Sequence, residues 1–295
     1  MSLPFDQRDG WIWWNGQLVP WKDAKLHVLS HGLHYASSVF EGERAYGGVI
    51  FKSREHSERF RRSAELLDFE IPYSVDELDA AKALVVEKNG NPDVYVRPVA
   101  WRGSEMMAVA AQHATINVAI AVWPWPSMFN ITEKMKGIRL DIAEYRRPDP
   151  KTAPSSSKAA GLYMICTISK HAAERKGYAD AMMLDWQGRV AECTGANIFF
   201  TRDGALHTPI ADCFLDGITR RTVIDLAKRR GFDVVERRIM PDELSTFNEC
   251  FICGTGAEVT PVSEIGPHTY RPGNISRTLV EDYAAEVQPR QKAAA

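Results

Sequence analysis

Two short apolar segments, residues 93–101 and 115–123, constrain the fold of this chain more than any other feature. Both are rich in Val, Ile and Ala, and segments of this length and composition predict buried strands. Two prolines then interrupt the pattern within residues 123–130, and proline cannot donate a backbone N–H to a strand ladder. We therefore predict an N-terminal α/β domain over 1–123, an interdomain linker over 124–136 and a C-terminal α/β domain over 137–295.

Other segments alternate between strand and helix patterns. The pair Asn15-Gly16 lies between two apolar runs and favours the tight turn of a β-hairpin. Ser74 and Glu77 form a capping-box pattern before a helix. Residues 55–68 have the periodicity of an amphipathic helix. Further strands are expected at 137–145, 180–185, 189–192, 197–201, 250–253 and 258–262, and further helices at 159–176, 218–230 and 275–287.

Charge and composition favour a small-molecule ligand over a large polyanionic partner. The chain has 295 residues, 45% of them hydrophobic, with 36 Lys and Arg against 38 Asp and Glu. Such a balance provides no net field for nucleic acid or a membrane. The first residues lack the pattern of a signal peptide, and no apolar stretch is long enough to span a bilayer. We therefore expect a cytoplasmic protein.

The five cysteines are scattered along the chain and odd in number, which is typical of reduced thiols. Cys250 and Cys253 have the spacing of a metal or redox pair. No second Cys pair or nearby His completes a zinc site, however, and the intervening Phe and Ile favour a buried strand. The eight histidines match no helical zinc motif, so no metal is predicted.

Lys158 is the leading candidate for covalent chemistry. It lies in a run of small residues, 154–161, before an expected helix, where a cofactor can approach the backbone closely. A desolvated lysine has a lowered pKa, as Schiff-base chemistry requires. Taken alone, the pattern favours a solvated surface lysine, because most lysines lie on surfaces. Its interpretation depends on the other motifs of the chain.

Two turns could bind an anion. Residues 216–220, Asp-Gly-Ile-Thr-Arg, place a glycine directly before an amphipathic helix, where free backbone N–H groups and the helix dipole attract phosphate. Residues 254–257, Gly-Thr-Gly-Ala, form a second small-residue turn after an apolar strand. An ordinary helix cap is the alternative for the first turn. The presence of both favours a phosphate ligand.

Charged side chains on expected strands supply further candidates. Glu192 ends one strand, where a carboxylate can hold a pyridinium nitrogen protonated, although a solvent-facing glutamate is equally compatible with the pattern. Tyr95 and Arg97 share one face of another strand by period-two alternation. An arginine on so apolar a strand is expected to meet a carboxylate, either of a ligand or of a structural salt bridge.

Taken in order, these motifs resemble the branched-chain amino acid aminotransferases, which are fold-type IV pyridoxal-phosphate enzymes. The resemblance runs nearly end to end. It rests on several segments: Trp14-Asn-Gly16, Ser30-His-Gly-Leu-His-Tyr35, Val39-Phe-Glu-Gly42, Arg54-Glu-His56 with Arg59, Tyr95-Val-Arg-Pro98, Lys158-Ala-Ala-Gly-Leu-Tyr163, Glu192-Cys-Thr-Gly-Ala-Asn197, Leu215-Asp-Gly-Ile-Thr219 and Gly254-Thr-Gly-Ala-Glu-Val-Thr-Pro261. It implies the two-domain, D-amino acid aminotransferase-like α/β (α+β) fold.

The resemblance also implies a role for each matching residue. Lys158 would be the Schiff-base lysine of pyridoxal 5'-phosphate, Glu192 the partner of its pyridine nitrogen and Tyr163 the neighbour of its phenolic oxygen. The phosphate would be held by Arg59, Ile218, Thr219 and Thr255. Substrate would be bound by Tyr35, Phe40, Tyr95, Arg97, Thr255, Gly256 and Ala257, with Arg97 receiving the distal carboxylate of glutamate.

The implied reaction moves an amino group between L-leucine, L-isoleucine or L-valine and 2-oxoglutarate. The partners are amino acids and 2-oxo acids, and the active sites would lie at the interface of a homodimer or higher homo-oligomer. A D-amino acid or (R)-amine transaminase, an aminodeoxychorismate lyase and a non-catalytic pyridoxal-phosphate-binding protein remain alternatives. The segment containing Tyr95 and Arg97 argues against the two other transaminases and the lyase. The presence of Lys158 with Glu192 argues against the non-catalytic protein.

Three positions and one segment depart from the pattern that the resemblance implies. Glu43 stands where an aliphatic residue is usual, and Ala36 replaces a common glycine. Residues 101–107 differ from the usual substrate loop, and Met128 stands near the position of a pocket tyrosine. These departures leave the expected cofactor chemistry intact and bear on substrate specificity.

Overall fold

The computed structural model describes residues 3–126 and 130–289. These residues form two compact units. Unit 1 comprises residues 3–126, 157–161 and 288–289, and unit 2 comprises 130–156 and 162–287. The predicted domain limits remain predictions, and part of the predicted linker, including Met128, lies outside the described residues. Within the same linker, Ile131–Lys134 forms a short helix that Asn130 caps through the backbone N–H of Glu133.

Within the described residues, unit 1 contains a seven-stranded sheet and three α-helices. The strand order is β2-β1-β7-β6-β4-β5, and β3 also pairs with β6. The elements are β1 (Trp11–Trp14), β2 (Gln17–Pro20), α1 (His31–Tyr35), β3 (Ser38–Phe40), β4 (Glu43–Tyr46), β5 (Val49–Ile50), α2 (Ser53–Glu65), α3 (Val75–Asn89), β6 (Val94–Arg102) and β7 (Ile116–Pro124).

Local sequence signals account for much of unit 1. Asn15 and Gly16 have φ of 46° and 93°, the left-handed backbone that a two-residue hairpin turn needs. Their hairpin pairs β1 with β2 antiparallel. The predicted capping box is present, because the Ser74 side chain accepts from the Glu77 N–H and the Glu77 carboxylate accepts from the Ser74 N–H. Such a cap contributes about 1 kcal/mol to helix stability.

Helices α2 and α3 supply the apolar core of unit 1. Phe60 and Ala64, one turn apart on α2, are fully buried, as are Leu78 and Val85 of α3. They pack with buried residues of β6 and β7 such as Val96. Burial of each large apolar side chain stabilises the fold by about 1.5–3 kcal/mol. One face of the sheet is thereby covered by the helix pair.

Unit 2 contains, within the described residues, a nine-stranded sheet with order β10-β9-β8-β15-β14-β11-β12-β13, and β16 also pairs with β15. Its elements are α4 (Ile131–Lys134), β8 (Ile138–Ile142), α5 (Met164–Arg175), β9 (Asp180–Leu184), β10 (Val190–Cys193), β11 (Asn197–Arg202), β12 (Ala205–Pro209), α6 (Ile218–Arg229), β13 (Val234–Arg237), β14 (Glu249–Gly254), β15 (Glu258–Ile265), β16 (His268–Thr269) and α7 (Asn274–Glu286).

The expected helix over 159–176 is wrong at its start. Ala159 forms an isolated bridge with Val39, residues 160–163 form a 3-10 turn, and α5 begins only at Met164. Lys158 therefore precedes the helix without belonging to it. The bridge to Val39 holds the backbone extended at this point, which is incompatible with a helical conformation.

The interpretation of Cys250 and Cys253 as strand residues agrees with the structure. Both lie in β14 and are fully buried, and all five cysteines of the chain are free. Burial raises the pKa of the thiols of both residues, which disfavours the reactive thiolate form. Among the described residues, no helix is long and apolar enough to cross a membrane.

Candidate functional site

Lys158 belongs to unit 1, and contacts with α2 and β3 explain why. Its backbone N–H donates to Ser63 Oγ at 3.0 Å, and its carbonyl accepts from the Phe40 N–H at 3.2 Å. The neighbouring Ser157 hydroxyl donates to the Ser63 carbonyl at 2.8 Å. Three hydrogen bonds thus fix residues 157 and 158 to α2 and β3, which lie far earlier in the sequence. The lysine side chain is partly buried.

The ring of Phe40 contacts both Lys158 and Arg97. Lys158 Nζ lies 4.9 Å from the ring centroid, and the guanidinium carbon of Arg97 lies 4.8 Å from it. Arg97 is also 5.2 Å from the Tyr95 ring, and its Nη2 lies 3.5 Å from the Tyr95 hydroxyl. The structure therefore brings together four of the residues predicted to bind cofactor and substrate.

Arg97 has the surroundings of a ligand-binding cation. Residues of β6 alternate between buried and half-buried, so Tyr95 and Arg97 share the half-buried face as predicted. Arg97 Nε is buried without a hydrogen-bond partner, and among residues 3–126 and 130–289 no carboxylate forms an ion pair with it. Aromatic faces stabilise a guanidinium but do not neutralise it. The charge remains available to a carboxylate.

Gly42 allows Tyr95 to occupy its place on this face. A Cβ at position 42 would lie 2.1 Å from the Tyr95 hydroxyl oxygen, a distance that no side chain can tolerate. The Tyr95 ring stacks on Trp123, with centroids 5.0 Å apart and planes 20° apart. The glycine of the Phe-Glu-Gly motif therefore determines where the Tyr95 hydroxyl lies.

Arg59 is buried on α2, one turn before Ser63. Its Nε and one Nη each donate to a different oxygen of Glu41 at 2.7 Å, a bidentate pair that fixes the plane of the guanidinium. His56 Nδ1 lies 2.7 Å from Glu41 Oε2. Two of the donor atoms of Arg59 are thus engaged by Glu41, and the phosphate-binding role of Arg59 remains a prediction.

The surroundings of the buried cluster of Glu41, His56 and Arg59 determine which of its members are charged. Burial lowers the pKa of His56 to about 4, despite the attraction of Glu41, so the imidazole is neutral at pH 7 and donates from Nδ1. Burial alone would raise the pKa of Glu41, but Arg59 and His56 outweigh it and hold that pKa well below its usual value. The cluster therefore consists of an Arg–Glu ion pair with a neutral histidine donor.

Two departures from the family pattern have a structural explanation in unit 1. Glu43 is fully buried in β4 and pairs with the equally buried Lys82 of α3 at 2.8 Å. Burial raises the pKa of Glu43 to about 8 even against the attraction of Lys82. Ala36 adopts φ of 53°, a left-handed conformation in which glycine is unstrained and alanine costs about 1–2 kcal/mol. Both residues are thus accommodated within unit 1.

Glu192 in unit 2 is held by two side chains. It lies in β10 and is 9% exposed. Its Oε1 is 3.3 Å from Arg147 Nε, and its Oε2 accepts from Asn197 Nδ2 at 3.3 Å. The solvent-facing alternative is therefore wrong. A buried carboxylate fixed at both oxygens is suited to bind a cationic ring N–H.

The start of α6 has the features of an anion site. Gly217 occupies the N-cap and provides no side-chain hydrogen bond, while Ile218 and Thr219 in the first turn are buried. Helix N-termini left without a side-chain cap have N–H groups that bind phosphate. A Cβ at position 217 would lie 2.2 Å from Asn197 Oδ1. Glycine is thus needed where α6 begins beside Asn197.

Asn197 connects three predicted parts of the site in unit 2. Besides Glu192, its Nδ2 donates to the Leu215 carbonyl at 3.1 Å, in the loop before α6. In the sheet it pairs with Cys253, directly before the turn at 254–257. Glu192, the start of α6 and the second small-residue turn are therefore neighbours. Thr255 and Ala257 are half-buried in that turn, and Gly256 is exposed.

Tyr163 ends the 3-10 turn that precedes α5. The carbonyl of the adjoining residue, Leu162, accepts from Arg147 Nη1 at 3.3 Å. Arg147 and Asn197 both contact the predicted site, and sequence analysis assigned neither a role. Asn197 was present in a quoted motif, whereas Arg147 follows β8 without a recognisable pattern. Tyr35, by contrast, is 46% exposed and stacks on His31.

The family model for amino-transferase class IV matches residues 38–265. This match covers most of the chain and includes Lys158, Glu192 and the two turns predicted to bind an anion, 216–220 and 254–257. The chain belongs to the class IV aminotransferases. The resemblance seen in the motifs is thus confirmed, as is the fold class. Within residues 3–126 and 130–289, this aminotransferase has no group of three or more His, Cys, Asp or Glu side chains arranged to bind a metal.

Named relatives of this class IV aminotransferase cover nearly its whole length. It is 40% identical to the branched-chain-amino-acid aminotransferase of Pseudomonas aeruginosa over 88% of this chain and 85% of the relative. It is 39% identical to that of Escherichia coli, over 86% and 84% of the two chains. The crystal structure of the branched-chain aminotransferase of Thermoproteus uzoniensis with norvaline superposes with a TM-score of 0.90 at 36% identity, over 95% of each chain.

Proposed function

We propose that this chain is a pyridoxal-phosphate-dependent aminotransferase that exchanges amino groups between branched-chain L-amino acids and 2-oxoglutarate. The observation that carries the proposal is the placement of Lys158 and Arg97 against one Phe40 ring. The amine proposed to bind the cofactor and the guanidinium proposed to bind the substrate therefore lie against the same aromatic ring. The names of the relatives support the same reaction, and one solved relative is complexed with N-(5'-phosphopyridoxyl)-L-glutamate.

Each unit has polar groups that suit a different part of pyridoxal phosphate. In unit 2, the uncapped start of α6 and the turn containing Thr255 suit the phosphate, and Glu192 suits the pyridine nitrogen. Tyr163 is the proposed partner of the phenolic oxygen. In unit 1, the amine of Lys158 suits covalent attachment, with Arg59 as a further phosphate donor. When bound, the cofactor supplies an aldehyde for amines and a ring that withdraws electrons from the substrate α-carbon.

The residues of this chain then have separate tasks. Lys158 Nζ takes the proton from the substrate α-carbon and later returns one. Glu192 keeps a hydrogen at the ring nitrogen. Tyr95 and the turn at 254–257 orient the α-carboxylate, while Tyr35 and Phe40 provide apolar surface for the side chain. Arg97 binds the distal carboxylate of glutamate or 2-oxoglutarate.

A panel of amino donors with 2-oxoglutarate tests the proposal directly. We expect glutamate formation with L-leucine, L-isoleucine and L-valine to exceed that with D-alanine or an (R)-amine by at least about a hundredfold. Borohydride reduction should fix the cofactor to Lys158, as seen by mass spectrometry. Faster reaction with D-alanine or the amine, or release of pyruvate from an aminodeoxychorismate substrate, would assign the chain to another class IV activity.

Replacing Arg97 with Leu should separate the two substrates. The variant loses the charge but keeps apolar bulk, so reaction with glutamate or 2-oxoglutarate should weaken by roughly 2–5 kcal/mol. The leucine half-reaction needs no distal carboxylate and should change much less. Single-turnover kinetics of each half-reaction provide the measurement, and Arg97→Lys is the charge-retaining control. An equal loss for both substrates would assign Arg97 to the α-carboxylate or to the fold.

We further propose that the protein is a cytoplasmic homodimer. The odd number of cysteines, all free and buried, supports a reducing compartment. Unit 1 carries an exposed apolar surface that supports self-association: Leu26, Val28, Leu29, Leu33, Tyr35, Met107 and Val109. Its two segments are adjacent, because His31 Nε2 lies 2.8 Å from the Ala108 carbonyl oxygen. A cluster of exposed apolar side chains favours a protein partner, here a second copy.

Charge introduced on this apolar surface should dissociate the dimer. Leu33 and Val109 are 63% and 84% exposed, so Leu33→Asp with Val109→Asp should leave each subunit folded and place unpaired carboxylates in the interface. Light scattering should give a dimer mass for the parent and a monomer mass for the variant. Val49→Asp, at a 57% exposed position of β5, is the matched control. A variant that remains dimeric would place the interface elsewhere.

A further inference from the structure

Arg147 is a buried cation beside the predicted cofactor residues of unit 2. Its side chain is 4% exposed. Nη1 donates to the Leu162 carbonyl at 3.3 Å and lies 3.5 Å from Cys166 Sγ, and the backbone N–H donates to the Leu184 carbonyl at 2.7 Å. Nε is buried and 3.3 Å from Glu192 Oε1, without hydrogen-bond geometry to any acceptor among the described residues.

The charge of Arg147 is retained at this position. Burial by itself lowers the pKa of the guanidinium, but attraction by its neighbours, chiefly the Glu192 carboxylate, exceeds that effect and raises the pKa. Arginine stays protonated throughout the physiological range. Glu192, the proposed partner of the pyridine nitrogen, and the residue that precedes Tyr163 therefore both contact one permanent positive charge.

We propose that Arg147 is a positioning residue of the cofactor site, whose charge keeps Glu192 in its carboxylate form and whose Nη1 fixes the turn that carries Tyr163. This inference rests on the proposed cofactor chemistry. Burial favours the neutral, protonated form of a carboxyl group, and a cation at 3.3 Å opposes that tendency. Only the carboxylate form can accept the ring N–H. Asn197 holds the other oxygen, so Arg147 and Asn197 together orient both oxygens of Glu192.

Two substitutions separate the charge of Arg147 from the rest of its side chain. Arg147→Gln removes the charge but keeps a neutral N–H donor at the position of Nε, beside Glu192, whereas Arg147→Lys retains the charge on a different head group. The readout is the dissociation constant of the apoenzyme for pyridoxal phosphate at about pH 8 and about pH 6, because loss of the cation favours the protonated form of Glu192 as the pH falls. Each variant is compared with the parent at the same pH, which cancels ionisation of the cofactor itself.

The ratio of the Arg147→Gln dissociation constant to that of the parent should grow roughly tenfold as the pH is lowered over this range. A tenfold change corresponds to a difference of about one unit between the pKa of Glu192 in the free variant and in its cofactor-bound form. The corresponding ratio for Arg147→Lys should stay nearly constant. In a Glu192→Gln background, adding Arg147→Gln should produce no further dependence on pH. A loss of affinity that is equal at every pH, or that persists unchanged without Glu192, would overturn the proposal in favour of a structural role.

The fold of the variants provides a second test. If Arg147→Gln fails to fold because it leaves a buried carboxylate without its cation, the neutral double variant Arg147→Gln/Glu192→Gln should recover a cooperative thermal transition. Failure of that rescue would also overturn the proposal. A parent apoenzyme that binds no pyridoxal phosphate at any pH would instead contradict the proposed function, and this outcome is distinct from either result for Arg147.

Discussion

Replacing Lys158 with Ala should abolish transamination. The side chain has two proposed tasks, covalent attachment of the cofactor and transfer of the α-carbon proton, and the lost proton transfer alone lowers the rate by about 10²–10⁴-fold. Loss of the lysine attachment should also remove the absorption band of the lysine-linked cofactor, while phosphate contacts retain part of the binding. Stopped-flow absorbance and a coupled glutamate assay measure both effects.

Lys151→Ala is the matched control for this experiment, because Lys151 is an exposed lysine only seven positions earlier in the chain. It should keep full activity and the normal spectrum. The hydrogen bonds that hold the Lys158 backbone involve Ser63 and Phe40 and do not depend on the lysine side chain. The Lys158 variant should therefore fold normally. Near-normal turnover in it would refute the catalytic assignment.

Glu192→Gln should preserve the fold and slow proton transfer by at least roughly a thousandfold. A neutral amide cannot stabilise a protonated pyridine as a carboxylate does. Gln keeps the size of the side chain and can still accept from Asn197, although it leaves Arg147 without its counter-charge. Single-turnover measurement of α-deuterated and unlabelled leucine isolates the affected step. An unchanged rate of that step would make Glu192 a structural residue.

The features predicted correctly from sequence depend on short-range interactions. The Asn15–Gly16 turn requires only left-handed backbone, the Ser74–Glu77 cap requires only one helical turn, and the shared face of Tyr95 and Arg97 follows from strand geometry. Each is specified within a few residues. Such signals remain visible in a single sequence.

Features that arise from tertiary contacts escaped prediction. Strand β4 is fully buried although it contains Glu43 and Arg44, and the contact that pairs Glu43 with Lys82 of α3 is not visible in the local sequence. The start of α5 was misplaced because the bridge between Ala159 and Val39 overrides local helix propensity. The pairing of Arg147 with Glu192 joins loci 45 positions apart. A local sequence pattern cannot predict a contact between residues so far apart in the chain.

The membership of residues 157–161 in unit 1 affects the order in which the protein can fold during translation. Every strand of the first sheet lies before residue 125, so its hydrophobic core can assemble before the segment that contains Lys158 has emerged from the ribosome. The lysine segment must then dock onto a surface that already exists, through Ser63 and Phe40. A nascent chain can thus form this scaffold first and add Lys158 to it later.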